Sequence, residues 1–344
     1  MYYVLATVEG LHLTCDFIVY SAALYGCPPN YTPTPTGLHE VYRQPYNCLG
    51  AIPFEAYTLF SPISAMDDST LEAMSSLQNR SLKDFTCVCF EVDLENQDIA
   101  SIDSLDNNSN LLQKLLDQGE MILDVIRLFV FKPGNNTSIG RVGAIGNGVS
   151  GVWIGNDGEY AKFIARQLSP YQFVQKPMQV TLSEVRKIYN DPVFKELCSA
   201  ACHTPDQFDP LLKRIFQGLR AFREIREIQN LEARFVRLAS LAEHLAKKDS
   251  KDERRGHKLR YPIAKIAESG WDSKSDINDV VNDLWTHPRN KLTHSAETFA
   301  SIGRDPIQDI SNMETIVINM LQALVIAWRN EEFVIDPYQW LLNL

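Results

Sequence analysis

Cysteine is sparse in this chain, with seven in 344 residues, at Cys15, Cys27, Cys48, Cys87, Cys89, Cys198 and Cys202. The count is odd and no Cys-x-x-Cys pair repeats, so a disulfide framework is not expected and reduced, intracellular thiols are. Long apolar runs are missing too. Met1 to Tyr25 is rich in large apolar residues, but Glu9, His12 and Asp16 interrupt it and no basic segment precedes it, unlike a secretory signal. No apolar run reaches the roughly 18 residues of a membrane span. A cytoplasmic protein with no membrane partner is expected, in which the Asn-x-Ser/Thr triplets at Asn79 and Asn135 carry no glycan. A basic surplus is also lacking: 33 Lys and Arg face 43 Asp and Glu, a formal net charge of −10. Taken whole, that balance argues against a phosphate-rich partner. With 45 % hydrophobic and 22 % charged residues, the composition excludes a disordered chain or a fibre and suits two globular domains.

Several site motifs are absent or fail on context. There is no GxxxxGK[ST] string, hence no support for a P-loop nucleotidase. Gly146 to Gly151 spells GxGxxG, but a dinucleotide site needs a strand before it and a helix after it. Here Val152-Trp153-Ile154 and then Gly155-Asn156-Asp157-Gly158 follow, which read as a strand and a turn, so a hairpin is expected. Ser150 lacks the GxSxG frame of a nucleophile elbow. Cys87-x-Cys89 and the grouping Cys198, Cys202, His203 are isolated ligand pairs rather than four-ligand zinc spacing. Neither a metal nor another cofactor is expected.

What is present divides the chain in two. Up to about Gln179, punctuation is dense, as in Pro28-Pro29, Asp103 to Asn110 and Pro133-Gly134-Asn135-Asn136. Between these lie short β-branched and aromatic runs at Phe85 to Val92, Ile126 to Phe131 and Gly151 to Ile154, which read as strands. One helix is expected over Leu111 to Leu128. From Leu182 the apolar residues take the helical period: Leu211 to Phe222, Leu231 to Leu245, Ile277 to Trp285 and Ile307 to Phe333. The stretch Lys247 to Lys258 (KKDSKDERRGHK) reads as a solvated loop, and Asp336 to Trp340 as a docked tail. The expected class is α+β: residues 1–178 form a mainly-β or α+β domain, and residues 179–344 an all-α bundle.

The segment with the most chemistry follows the helix ending at Trp285. Within eight residues it holds His287, Arg289, Asn290, Lys291 and His294, and only Leu292 between Arg289 and His294 is a large hydrophobe. That composition suits an anion. In a regular helix Arg289 and His294 would point about 140° apart, whereas Asn290 and His294 would share a face. Pro288 disfavours helix at His287 and suits the first turn of a new one, so a break there would re-aim Arg289. RNA cleavage by attack of a 2′-hydroxyl on its own phosphate needs a general base, a general acid and cationic stabilisation, without a metal. Two such segments facing across a two-fold axis would supply that set.

Arg289-Asn290-x3-His294 at the end of a helix in a C-terminal helical bundle resembles the signature of the HEPN superfamily. The stretches Leu231 to Leu245 and Arg260 to Ala267 look like the branch that ends certain bacterial abortive-infection proteins, the ApeA-like HEPN domains. The resemblance covers about Val180 to Phe333. It implies a metal-independent endoribonuclease acting as a homodimer or a higher even-numbered oligomer, of toxin or antiphage type, with RNA as substrate. It implies products ending in a 2′,3′-cyclic phosphate and a 5′-hydroxyl, and an N-terminal domain that senses a trigger or binds a protein partner. Arg289 and His294 would be the catalytic pair and Asn290 a polar helper. Glu243 would orient the arginine or histidine from a neighbouring helix, and Lys291 and His287 are supporting candidates. The alternative is a catalytically silent HEPN scaffold that dimerises and holds a protein or nucleic acid.

The charge deficit is unevenly placed. Residues 1–180 hold 10 Lys and Arg against 19 Asp and Glu, whereas residues 210–265 hold 15 against 7. The acidity therefore belongs to the N-terminal half, and the bundle is the half suited to RNA.

Overall fold

The computed structural model describes residues 2–8, 11–13, 17–19, 49–53, 86–92, 94, 108–131, 137–138, 140–146, 149–156, 162–167, 176–180, 188, 191–201, 208–247, 256–271, 276–294 and 297–330. They fall into two compact units, the first spanning 1–130 and 136–203, the second 131–135 and 204–344.

In the first unit, strand β1 (Tyr2–Val8) lies between β5 (Thr86–Val92) and β8 (Val149–Asn156), antiparallel to both. With β3 (Phe17–Val19), β4 (Leu49–Pro53) and β7 (Ala144–Gly146), the sheet runs β3-β4-β5-β1-β8-β7, and β9 (Lys162–Gln167) pairs with β8. A smaller group joins β2 (Leu11–Leu13), β10 (Lys176–Val180) and β6 (Thr137–Ser138). Alternate residues Val4, Ala6 and Val8 are buried, the two-residue period of a strand with one covered face. Helix α1 (Asn108–Val130) packs against β1, β5, β8 and β9. The GxGxxG string runs from β7 into β8, which pair antiparallel, so this segment is the hairpin expected from its context.

The run Ile126 to Phe131, read from sequence as a strand, is a correction: it continues α1 through Val130. Ile122, Val125, Ile126 and Leu128 are buried, and Arg127 donates to Glu120 Oε2 at 2.8 Å and Asp124 Oδ1 at 2.5 Å, two turns and one turn back along the helix. These contacts override the β-branched and aromatic composition that suggested a strand.

Helix α2 (Pro192–Ala201) belongs to the first unit. Phe194 meets Phe129 edge-on at 5.1 Å, and Gln118 Nε2 donates to the Ala201 carbonyl at 2.8 Å. These contacts put the division at 203/204, later than the 178/179 boundary read from sequence.

The described elements of the second unit are helical, as the periodicity of its sequence predicts. They are α3 (Pro210–Arg226), α4 (Leu231–Leu245), a 3₁₀ turn (Gly256–Leu259), α5 (Arg260–Glu268), α6 (Ile277–Thr286), α7 (Pro288–His294) and α8 (Pro306–Arg329). Asp209 caps α3 by accepting from the Leu211 and Leu212 amides at 2.8 and 2.9 Å. Asn230 caps α4 through the Ala233 amide at 2.7 Å. Such caps hold a helix start by about 1 kcal/mol each.

Helix α8 is the central element, against which α3, α4, α5 and α6 all pack. Its apolar residues from Met313 to Val325 are buried. Gly218 lets α3 approach closely, since a Cβ there would lie 2.7 Å from Leu321 Cδ2. Glu314, also buried, is shared by Arg226 and Arg234. Contrary to the expectation of no membrane-length apolar stretch, α8 is long and apolar enough to cross a membrane, with 78 % of its most apolar window buried inside the protein. The docked tail at Asp336 to Trp340 and the pairing of Cys202 and His203 lie outside the described residues, as do the side chains of Cys87 and Cys89.

Candidate functional site

The segment bearing the motif begins at a helix break. Helix α6 ends at Thr286, whose successor His287 has φ −110° and ψ −77°. Pro288 opens α7, where its missing N–H leaves no intrahelical bond unmade. The break is slight, because the His287 amide still donates to the Asp283 carbonyl and the His287 carbonyl accepts from the Lys291 amide, both at 3.2 Å. Leu284, Trp285 and Leu292 are buried and anchor the two helices on either side.

Arg289, one residue into α7, turns inward. Its Nε donates to Glu243 Oε1 at 2.9 Å, and its Nη2 lies 2.9 Å from the same oxygen. Its Nη1 donates to Asn290 Oδ1 at 3.2 Å. Glu243 Oε1 also accepts from Trp285 Nε1 at 3.2 Å. One carboxylate oxygen on α4 therefore ties together the end of α6 and the start of α7. The Arg289 and Glu243 side chains are only 13 % and 12 % exposed, so water screens the pair weakly.

Gly256 completes the enclosure, and sequence reading missed it by treating Lys247 to Lys258 as a solvated loop. Residues 248–255 of that stretch lie outside the described set, but Gly256 is buried at its far end. It has φ +56°, and a Cβ there would lie 3.4 to 3.8 Å from three atoms of the Arg289 guanidinium. Glycine takes that left-handed conformation without strain and lets the 3₁₀ turn lie against the guanidinium. The only sequence signal was a glycine inside a charged run.

The remaining candidates are placed differently. Asn290 and Lys291 are exposed on α7, and the bond from Arg289 leaves the Asn290 amide nitrogen as a donor. His287 is exposed and faces Asp283, with Nδ1 3.8 Å from its Oδ1. Asp283 is also held by Arg304, whose Nη1 and Nη2 reach its two oxygens at 3.2 and 2.5 Å. Asp309 binds the same arginine, and these carboxylates raise its pKa above the ordinary value. His294 is the last residue of α7, and its side chain lies outside the described set.

His244, next to Glu243, has its pKa lowered by loss of water around the ring, and further by the charges of Arg214 and Lys247. Among the described residues no group of three or more His, Cys, Asp or Glu is placed to hold a metal ion. Chemically, the cluster offers a fixed guanidinium beside an exposed amide and an exposed lysine, an arrangement able to meet a phosphate. No family model, curated protein or solved structure matches the chain.

Proposed function

We propose that the second unit is a HEPN-type helical bundle and that the chain is a metal-independent endoribonuclease of toxin or antiphage type. The observation that carries this reading is the fixing of Arg289 by Glu243 and Asn290 at the start of α7, with His294 closing the same short helix. Glu243 and Asn290 hold the guanidinium in one orientation, so little rearrangement is needed when a phosphate arrives. His294 takes the proton of the attacking 2′-hydroxyl or gives one to the leaving 5′-oxygen. The P–O5′ bond breaks as the 2′-oxygen bonds to phosphorus, giving a 2′,3′-cyclic phosphate and a 5′-hydroxyl. Two copies in a homodimer, or pairs within a larger even-numbered oligomer, supply base and acid together. The acidic N-terminal unit meets a trigger or protein partner and controls cutting, in the cytoplasm.

A second reading has its own observation. Arg289 is largely enclosed and ion-paired, as an arginine kept for structure would be. On that reading the bundle is a silent scaffold that dimerises and holds a protein or nucleic acid. Incubating purified full-length protein with end-labelled RNA in EDTA separates the two. The nuclease reading expects cutting that Arg289→Ala and His294→Ala each reduce by about a hundredfold or more, with the oligomer intact. Equal cutting by wild type and both variants would point to a contaminant, and its absence in all three favours the scaffold.

A further inference from the structure

We infer that Tyr261 is a base-stacking platform for single-stranded RNA, on a segment that Gly256 and Arg260 tie to the Arg289 motif. The inference rests on the nuclease reading and adds to it how substrate is held. Tyr261 is 63 % exposed, the most exposed large hydrophobic side chain among the described residues. It stands on the first turn of α5, whose opposite face buries Ile263, Ala264, Ile266 and Ala267. The ring is therefore turned away from the core that fixes its helix.

Its surroundings are cationic. From Lys258 to Lys265 the sequence KLRYPIAK carries three cations and no acidic residue. Lys265 Nζ lies 5.9 Å from the Tyr261 ring centroid and 3.3 Å from Glu268 Oε2, and Lys258 is exposed. The segment is tied to the motif at two points. Gly256 lies against the Arg289 guanidinium, and Arg260 Nη1 donates to Thr286 Oγ1 at 3.2 Å, at the end of α6. Tyr261 directly follows the second tie. An exposed aromatic ring flanked by Lys and Arg is the usual means of holding unpaired nucleotides: bases stack on the ring and phosphates meet the cations. The local charge favours this polyanion over a protein surface.

The test uses the full-length chain and a fluorescent single-stranded oligonucleotide of 2′-O-methyl RNA, which lacks the attacking hydroxyl and is bound without being cut. Tyr261→Ala is expected to weaken binding about five- to hundredfold, the range for losing a base stack, while Tyr261→Phe keeps it. Lys258→Ala, at an exposed cation, is expected to lower the slope of log affinity against log salt by about one, a slope that Tyr261→Ala leaves unchanged. A wild type that binds and a Tyr261→Ala that binds equally well overturn the platform while leaving the nuclease reading standing. Loss of affinity together with loss of the wild-type oligomer mass in sedimentation assigns the ring to contact between copies, which also overturns it. A wild type that binds no RNA overturns both.

Discussion

Replacing Glu243 separates a cluster that orients Arg289 from a chance surface contact. Its Oε1 accepts from Trp285 Nε1 at 3.2 Å and from Arg289 Nε at 2.9 Å, with Nη2 at 2.9 Å. Glu243→Ala removes all three contacts and takes the Glu243 carboxylate away from a guanidinium whose side chain is only 13 % exposed. Stranding one member of a buried pair costs about 3 to 5 kcal/mol; with some water access the lower end, about 3 kcal/mol, is expected. For a unit of this size, each kcal/mol lowers the melting temperature by roughly 2 to 4 °C, so a fall of about 6 to 12 °C follows. Glu243→Gln keeps an acceptor oxygen but not the charge and should cost about 1 to 2 kcal/mol. Circular dichroism melts of the full-length proteins read this order directly, and RNA cutting should fall in the same order. A Glu243→Ala protein melting within about 1 °C of wild type would show that Glu243 does not hold Arg289 in place.

Other perturbations have equally definite outcomes. Gly256→Ala should cost about 1 to 2 kcal/mol, because φ +56° is strained for alanine; Gly256→Asn, which tolerates that conformation, should melt higher than Gly256→Ala. Arg304→Ala leaves Asp309, 3 % exposed, without its bidentate partner and should lower stability by about 3 kcal/mol, measured by urea titration. The lowered pKa of His244 means that the unfolded chain binds its proton more readily than the folded one. Its contribution to stability is present above 6.5 and is lost as pH falls through the lowered value; His244→Gln should flatten the stability profile between about pH 7 and 5.

The helices of the second unit were legible because their apolar residues keep the 3.6-residue period, and Pro288 marked the break before Arg289. The hairpin at Gly146 to Gly151 was legible because no helical pattern follows it. Ile126 to Phe131 misled because the same apolar run fits a buried strand or a helix end, and the decision lay with Glu120, Asp124 and Arg127. The membrane-length character of α8 was hidden by polar residues such as Glu314 and Asn319, which interrupt the apolar run in sequence yet are buried in the bundle. Glu243 entered as a candidate only by resemblance, since its contact with Trp285 and Arg289 spans more than 40 residues. Local periodicity carries no trace of a pairing at that separation. Gly256 was illegible for the same reason: its role depends on a side chain 33 residues away.

As proposed, this chain cuts RNA by attack of the RNA's own 2′-hydroxyl on the adjacent phosphate. The most direct measurement places a single 2′-O-methyl group at the mapped cut position of a labelled RNA and follows cleavage in EDTA. The unmodified RNA should give a 2′,3′-cyclic phosphate and a 5′-hydroxyl, and the methyl group should block cutting at that position alone. Unchanged cutting of the methylated RNA, or a 5′-phosphate on the product, contradicts that mechanism.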